Sequence, residues 1–262
     1  MSTQKLNNAL IGYTGFVGGT LERDHEFSSR YNSKNIEEIA GKNFDMIYCA
    51  GAPAAKWIAN GDPKSDRANI DRLLGAVRGA TAKRVVLLST VDVYKRAVNV
   101  NENMEPPVEG LSAYGLNRLH LEKELSSSFE ATVIRLPGLF GDGLRKNAIY
   151  DLLNNNAVEK VESRGTFQFY DMRNLWDDIE QAISLGIKLL HVSSPPLSIE
   201  EIAREAFGRE FRNELPGTPA IYDFKSIHAN SWGGQDGYLY SRDSILQGIK
   251  EFVRANAKEK AA

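Results

Sequence analysis

The sequence predicts an α/β fold built around a mostly parallel sheet. Short apolar segments rich in β-branched residues alternate with helical periodicity through about the first 140 residues, which is the pattern of βαβ units. One segment, Arg84–Ser89, is apolar without alternation and is therefore expected to be a central strand buried on both faces. The 262 residues allow one large domain, or one domain with a smaller appendage.

Six segments are predicted to be strands because they are short, apolar and bounded by turn residues. In chain order they are Asn8–Gly12, Phe27–Ser29, Met46–Cys49, Arg84–Ser89, Ala131–Leu136 and Lys188–Val192. The second of them is the weakest, since only its first residue is apolar.

Eight segments are predicted to be helices from apolar periodicity and capping residues. In Pro63–Gly79, for example, four apolar residues between positions 70 and 77 fall on one face. Ser198, with Glu201 three residues later, forms a capping box. The helices are one ending near Arg23, then Asn35–Ala40, Pro63–Gly79, Tyr114–Ser126, Asn147–Asn154, Trp176–Leu185, Ser198–Phe207 and Asp243–Ala255. Residues 211–240 lack a period and are expected to form loops or short strands.

The composition argues against several classes of protein. The chain has 32 Lys and Arg residues and 34 Asp and Glu residues, so it lacks the excess of positive charge that is typical of nucleic-acid-binding proteins. The single cysteine, Cys49, excludes an intramolecular disulfide and fits a reducing compartment, so a cytoplasmic location is expected. No apolar run approaches the ~18 residues that span a membrane, and the four histidines share no metal-ligand spacing.

A glycine-rich segment separates the first predicted strand from the first helix. It reads Gly12-Tyr13-Thr14-Gly15-Phe16-Val17-Gly18. Glycines at such a turn let backbone N–H groups approach a pyrophosphate, and the helix N-terminus adds partial positive charge. The segment therefore predicts dinucleotide binding, and a purely structural turn is the alternative.

The residue after the second strand distinguishes NAD from NADP, because an acid binds the ribose hydroxyl of NAD and a basic residue accommodates the 2′-phosphate of NADP. This stretch offers Arg30 and no acid. NADP is therefore favoured over NAD, and a solvated surface arginine is the alternative.

Six motifs, in order, resemble those of the extended short-chain dehydrogenase/reductases, in the NAD-dependent epimerase/dehydratase branch that mostly acts on nucleotide-linked sugars. They are the turn Gly12–Gly18, Cys49-Ala50-Gly51-Ala52 at a strand end, Asn69 in the next helix, Ser89-Thr90-Val91-Asp92-Val93-Tyr94, Tyr114-Gly115-Leu116-Asn117-Arg118, and Arg135–Gly141. The resemblance covers nearly the whole chain.

The resemblance implies a Rossmann-type, doubly wound parallel sheet with a small C-terminal substrate-binding lobe. Residues 1–141, continued by about 168–192, would form the cofactor domain, and residues 142–167 and 193–262 the lobe. It also implies a homodimer as one possible assembly. The implied cofactor-binding residues are Gly12, Thr14, Gly15, Phe16, Val17, Gly18, Arg30, Ala50, Gly51, Ala52, Asn69, Tyr114, Arg118 and Pro137.

The catalytic residues implied by the resemblance are Thr90, Tyr114 and Arg118. Thr90 would hydrogen-bond the reacting oxygen and Tyr114 would exchange its proton, with a cation one helical turn beyond to stabilise the phenolate. The family places a lysine where this chain has Arg118, which keeps the charge but is larger and planar. Two hypotheses follow: an NAD(P)-dependent oxidoreductase or epimerase, or a catalytically weakened dinucleotide-binding protein with a structural or sensing role.

Four further residues are candidates for substrate binding, each with an ordinary surface role as the alternative. Sugar dehydratases of this branch place an acid at the position of Asp92, and Lys56 lies in a predicted loop over the expected nicotinamide position. Arg145 and Arg164 are candidates for a substrate phosphate.

Overall fold

The computed structural model describes residues 6–259, except for the side chains of Asp24, Lys258 and Glu259. The polar start of the chain, residues 1–5, lies outside this range. By their internal contacts the residues form two compact units. The first contains the chain up to Lys95, Glu105–Arg135 and Leu175–Leu190, and the second contains Arg96–Met104, Leu136–Asn174 and the chain from His191 onwards. The domain boundaries expected from the sequence remain a prediction.

Ten strands occur in the described chain. They are β1 (Asn8–Ile11), β2 (Ser29–Tyr31), β3 (Asn43–Cys49), β4 (Thr81–Thr90), β5 (Ala131–Leu136), β6 (Gly138–Phe140), β7 (Thr166–Phe167), β8 (Phe169–Asp171), β9 (Leu189–His191) and β10 (Leu197–Ser198). Six of them form one sheet in the order β2-β1-β3-β4-β5-β9, and the pairings of β1 with β2 and β3, and of β3 with β4, are parallel. The predicted α/β class is confirmed.

The strand order reverses between β1 and β3. Open α/β sheets bind ligands at such a switch point, outside the carboxyl ends of the strands. Ile11, Tyr31 and Cys49 lie at those carboxyl ends, because Ile11 is in register with both of the others. The order of the sheet therefore places any ligand site next to the segments that follow these three residues.

Between residues 6 and 259, eight α-helices accompany the strands. They are α1 (Phe16–Asp24), α2 (Lys56–Gly61), α3 (Pro63–Arg78), α4 (Ala113–Ser128), α5 (Ala148–Asn154), α6 (Leu175–Ser184), α7 (Ile199–Phe207) and α8 (Arg242–Glu259). Asp62 caps α3 by accepting a hydrogen bond from Ser65 N, and Ser198 caps α7 by accepting one from Glu201 N, as the capping box predicts.

The core of the first unit lies on both sides of β4. Its residues from Val85 to Leu88 are buried in succession, which confirms that this is a central strand. The predicted apolar face of α3, from Ile70 to Val77, packs in the same core. Cys49 is also fully buried there, and burial raises the pKa of its thiol to about 11, so it is a core residue.

Three elements differ from the sequence-based expectation. Asn35–Ala40 forms only a 3₁₀ turn, Ile36–Ile39, before β3 begins. The helix α2 occupies a stretch that was expected to be a loop. The second strand begins two residues later than predicted, because Ser29, Arg30 and Tyr31 are the residues that pair with β1.

The second unit contains two small sheets, β10 with β7 and β6 with β8, together with α5, α7 and α8. Its core includes Phe140, Ile149, Ile202 and Ile249. Within residues 211–240 the main regular element is a 3₁₀ turn, Ala229–Trp232, as expected for a region without a period. Among the helices of the described chain, none is both long and apolar enough to cross a membrane.

Candidate active site

The glycine-rich turn connects β1 to α1 in the first unit. Gly12 has a φ of +88°, and a Cβ on it would lie 2.3 Å from Ala50 O. A Cβ on Gly18 would lie 2.2 Å from Gly12 O. Both positions therefore require glycine for the packing of the turn itself.

Gly15 differs from the other two glycines of the turn. It is exposed, its φ is −85°, and a Cβ on it would have its one close contact with Gly12 O, at 3.3 Å. The turn thus has an open face at Gly15, immediately before the N-terminus of α1. The first-turn amides of α1, at Phe16, Val17 and Gly18, have no acceptor within the helix, and such amides favour an anion.

Other predicted cofactor residues surround this turn. The segment Ala50-Gly51-Ala52 follows β3, and Ala50 N donates to Ile11 O at 2.9 Å, which places the segment beside the end of β1. Thr14 is exposed in the turn. Asn69 is exposed on α3, whereas Asp66, one turn earlier on that helix, is buried.

Arg30 lies within β2 and not beyond it. Its guanidinium donates to Glu22 Oε1 at 2.5 Å and to Phe27 O at 2.8 Å. The first residue after the strand is Asn32, whose amide nitrogen donates to Tyr13 Oη at 3.0 Å. Sequence reasoning missed Asn32 because the strand was predicted to end two residues too early, which made Arg30 the first residue beyond it.

Thr90 and Tyr114 are brought together as the motifs predict. Thr90 is the last residue of β4, and Tyr114 is in the first turn of α4. The Thr90 hydroxyl lies close enough to the phenol of Tyr114 to lower its pKa, and Thr90 Oγ1 accepts from Asp92 N at 3.1 Å. Tyr114 N donates to Asn60 Oδ1 at 3.0 Å, which ties this helix to α2.

The phenol of Tyr114 has a raised pKa. Burial is the main cause, and the carboxylates of Asp92 and Asp66 act in the same direction. The charge of Arg118 and the neighbouring hydroxyl of Thr90 lower this pKa, but they do not outweigh the burial. Tyr114 is therefore protonated at neutral pH.

Arg118 is buried and paired with a buried carboxylate. It is 2% exposed and Asp66 is 5% exposed. The guanidinium contacts both oxygens of Asp66, and Nη2 is 2.9 Å from Oδ1. Its remaining terminal N–H groups donate to Tyr114 O, at 3.3 Å, and to Pro53 O. All four terminal N–H bonds therefore have acceptors within the protein.

The guanidinium also lies on the face of the Tyr114 ring, with its Cζ 4.0 Å from the ring centre. Arg118 Nε is buried and has no hydrogen-bond partner among the residues that the structure describes. This arrangement makes Arg118 a fixed support under Tyr114. A ribose hydroxyl could bind its terminal nitrogens only by displacing Asp66 or a backbone carbonyl.

Two of the substrate candidates form an ion pair. Lys56 Nζ lies 2.9 Å from Asp92 Oδ1, and the lysine side chain is the more exposed of the two. Lys56 was expected in a loop, but it is the first residue of α2. Because Asp92 N also donates to Thr90 Oγ1, this pair borders the side chains of Thr90 and Tyr114.

A second buried ion pair lies one turn further along α4. Glu122 accepts from Arg135, with Oε2 2.6 Å from Nη2, and from Ser89 Oγ at 2.5 Å. Arg135 Nη1 also donates to Tyr94 Oη at 2.9 Å. Sequence reasoning missed Glu122, although its spacing from Tyr114 and Arg118 places it on the same face of the helix.

The remaining candidates belong to the second unit. Pro137 lies between β5 and β6, and Arg145 is exposed in the loop before α5. Arg164 contacts the carboxylates of Glu162 and Glu214, and it donates to Leu215 O at 2.9 Å. A substrate phosphate at Arg164 would compete with these partners. In the described part of the chain, no cluster of three or more potential metal ligands occurs.

A scan against protein-family models and a search of curated proteins both find no match. Solved structures do match. A dTDP-4-dehydrorhamnose reductase from Bacillus anthracis in complex with NADP has a TM-score of 0.72 and 17% identity, over 97% of this chain and 100% of that chain. A UDP-glucose 4-epimerase from Thermotoga maritima with UDP-glucose has a TM-score of 0.72 and 13% identity, over 98% of this chain and 100% of that chain.

A UDP-glucuronic acid 4-epimerase mutant from Bacillus cereus, in complex with a fluorinated UDP-sugar and NAD, has a TM-score of 0.71 and 14% identity, over 96% of this chain and 99% of that chain. At these identities the likeness establishes the fold. This chain has the Rossmann-type fold of the extended short-chain dehydrogenase/reductases, as the order of its motifs implies.

Proposed function

We propose that this protein is an NAD(P)-dependent oxidoreductase that transfers a hydride between a nicotinamide ring and a carbinol or carbonyl carbon of a nucleotide-linked sugar or similar polyol. The observation that carries the proposal is the position of Tyr114, in the first turn of α4, beside the hydroxyl of Thr90, the last residue of β4. It places a proton donor next to a hydroxyl that can orient the same substrate oxygen. Both residues belong to the unit that contains the open glycine-rich turn.

The residues around that turn fit a dinucleotide. The open face at Gly15 allows a pyrophosphate to approach the backbone, and the first-turn amides of α1 can donate to it. Ala50, Gly51 and Ala52 would line the adenosine side. Tyr114 would lie at the nicotinamide end, with Arg118 beneath its ring.

The chemistry at Tyr114 is a proton transfer at Oη. When bound, a nicotinamide dinucleotide supplies or accepts the hydride. Thr90 orients the substrate oxygen through its hydroxyl, and Tyr114 donates or removes the proton on that oxygen. Arg118 fixes the Tyr114 ring by its contact with the ring face.

NADP is the favoured cofactor. A carboxylate at the end of β2 would repel a 2′-phosphate, and this chain has the neutral Asn32 there. Lys34, two residues further on, is exposed and adds positive charge near that strand end. Among the structures with the same fold, the B. anthracis reductase carries NADP and the B. cereus epimerase carries NAD.

The substrate class follows from the same neighbours, which are named for nucleotide sugars. The Lys56–Asp92 pair offers a cation and an acceptor for sugar hydroxyls beside Tyr114. Arg145 and Arg164 are proposed for the substrate diphosphate, and a homodimer is proposed as the assembly.

A second function rests on Arg118. Because its terminal donors are all used within the protein, it is not poised to hold a ribose as the lysine of the family does. A protein of this fold that binds a dinucleotide without turnover, in a structural or sensing role, would need no such donor.

The test combines binding with turnover. The shift in thermal unfolding should be titrated with NADPH, NADH and a panel of dTDP- and UDP-linked 4-keto sugars, since a ligand at 100 times its Kd stabilises by about 2.7 kcal/mol. Oxidation of the reduced cofactor should then be followed by its absorbance. Turnover that Tyr114→Phe abolishes supports the oxidoreductase. Binding without turnover supports the second function, and no shift with either cofactor contradicts both.

A further inference from the structure

The charged groups around Tyr114 come from every element packed against it. Arg118 lies on α4 itself, Asp66 on α3, and Asp92 on the 3₁₀ turn after β4. Lys56, on α2, is paired with Asp92. Two carboxylates and two cations thus surround the phenol, and each cation is held by one of the carboxylates.

Asp66 contacts the guanidinium of Arg118 through both of its carboxylate oxygens. Its two oxygens accept from different terminal nitrogens of Arg118, and Asn117 Nδ2 donates to Oδ2 at 2.7 Å. Such a two-pronged contact fixes the plane of a guanidinium. With Pro53 O and Tyr114 O as the further acceptors, Arg118 is held against the face of the Tyr114 ring.

We propose that Asp66 is a positioning residue that fixes Arg118 on the Tyr114 ring and neutralises the charge of the guanidinium. Tyr114 is then protonated in the free enzyme and donates its proton in a carbonyl reduction. This inference rests on the proposed oxidoreductase function and specifies the protonation state of Tyr114 before substrate binds. A site of the opposite kind, which begins by removing a proton from a carbinol, needs the phenolate.

The reduction balances as follows. The carbonyl carbon gains a hydrogen and its electron pair from a reduced nicotinamide dinucleotide, and a C–H bond forms. The carbonyl π bond opens onto oxygen, which takes the proton from Tyr114 Oη as that O–H bond breaks. The products are the carbinol and the oxidised dinucleotide, and the tyrosinate recovers a proton from solvent water.

The test is an ultraviolet titration of tyrosinate in the protein without cofactor. The chain has ten tyrosines, so the difference between wild type and Tyr114→Phe isolates one phenol. In wild type, no Tyr114 signal should appear below about pH 10, the ordinary tyrosine value. In Asp66→Asn the signal should appear about one pH unit lower, because a carboxylate is removed and the charge of Arg118 is released toward the phenol.

Asp71→Asn is the matched control. It removes a carboxylate from the same helix, but one that is exposed and paired with Arg67 at 2.9 Å. It should leave the Tyr114 signal unchanged. If Asp66→Asn does not fold, Arg118→Lys keeps a partner for Asp66. An ammonium is a compact charge that cannot make the planar two-pronged contact with Asp66 or lie flat on the Tyr114 ring, so the signal should again move to lower pH.

The inference is overturned if wild-type Tyr114 ionises near neutral pH, or if both the Asp66 and the Arg118 variants ionise as wild type does. Kinetics give a second readout: the rate of reduction should stay level through neutral pH and fall only where tyrosinate appears. Because the titration uses neither cofactor nor substrate, its result is independent of the proposed function. A protein that fails to bind NADPH but shows the predicted titration contradicts the function and leaves the role of Asp66 intact.

Discussion

Two buried ion pairs lie one helical turn apart on α4, and they differ in what surrounds them. Among the described residues, no buried side-chain nitrogen or oxygen of Arg135 or Glu122 lacks a hydrogen-bond partner, and Ser89 and Tyr94 are among the partners. Arg118 and Asp66 leave the buried Nε of the arginine without a partner in the described residues, and the guanidinium lies on the ring of Tyr114. The first pair has the form of a structural brace, whereas the second lies against the side chain that we propose as the proton donor.

Substitutions in the two ion pairs should have different consequences. Loss of a buried charge partner destabilises a fold in either place, because the remaining charge is left unpaired. Only the pair beside Tyr114 should also alter the ionisation of a phenol and the pH dependence of a reaction. The following predictions separate stability from chemistry.

Tyr114→Phe should give the largest effect on chemistry. Without the phenolic proton, turnover should fall about 10²- to 10⁴-fold, the range for loss of a general acid. Stability should change by only about 1 kcal/mol, because only the phenolic hydroxyl is removed and the ring keeps its contact with Arg118. Steady-state kinetics and urea unfolding measure the two quantities. Turnover equal to wild type would show that Tyr114 is not the proton donor.

Arg135→Met should give the largest effect on stability. It leaves the Glu122 carboxylate buried and unpaired, which costs about 3–5 kcal/mol in urea unfolding. The double variant Glu122→Met with Arg135→Met should recover most of this loss, because no buried charge then remains. If the double variant is as unstable as the single one, the pair is not a simple brace.

Asn32→Asp leaves both ion pairs intact and should change cofactor choice. A carboxylate at the end of β2 repels a 2′-phosphate and can accept from a ribose hydroxyl, so the ratio of NADPH to NADH affinity should fall about tenfold, or about 1.4 kcal/mol. Calorimetric titration of each cofactor measures the ratio. An unchanged ratio would place the 2′-phosphate away from Asn32.

Lys56→Met should give the smallest effect on stability. Lys56 and Asp92 form a partly exposed pair, and such pairs contribute about 0–1 kcal/mol. Substrate binding should weaken instead, as a raised KM with kcat nearly unchanged. A loss of several kcal/mol in unfolding would mean that Lys56 belongs with the buried pairs.

Local sequence patterns predicted much of this molecule. The central strand β4, the cap at Ser198 and the helix α3 follow from the periods of their own residues. The meeting of Thr90 and Tyr114 follows from motif order on a known fold. These features depend on neighbours in sequence or on a shared topology.

The features that were missed depend on contacts distant in sequence. Asp66 and Arg118 are 52 positions apart, and nothing near either residue indicates that the arginine turns toward a carboxylate. The expected position of Arg30 beyond β2 is wrong for a different reason, since the end of β2 is set by pairing with β1 and its own residues give a weak signal. The role of Arg30 at the cofactor stays a prediction. In both cases the prediction depended on which groups lie near a charged side chain, and the tertiary structure determines those neighbours.

Gly15→Val offers the most direct measurement of dinucleotide binding, the central claim. Its φ of −85° suits any residue, and a Cβ on it would meet only Gly12 O, at 3.3 Å, so the loss of stability should be small. Gly75→Val, at an open position on α3, is the control. Wild type and Gly75→Val should bind NADPH in calorimetric titration, and Gly15→Val should bind at least about 100-fold more weakly. Equal binding by Gly15→Val, or no binding by wild type, would contradict the account.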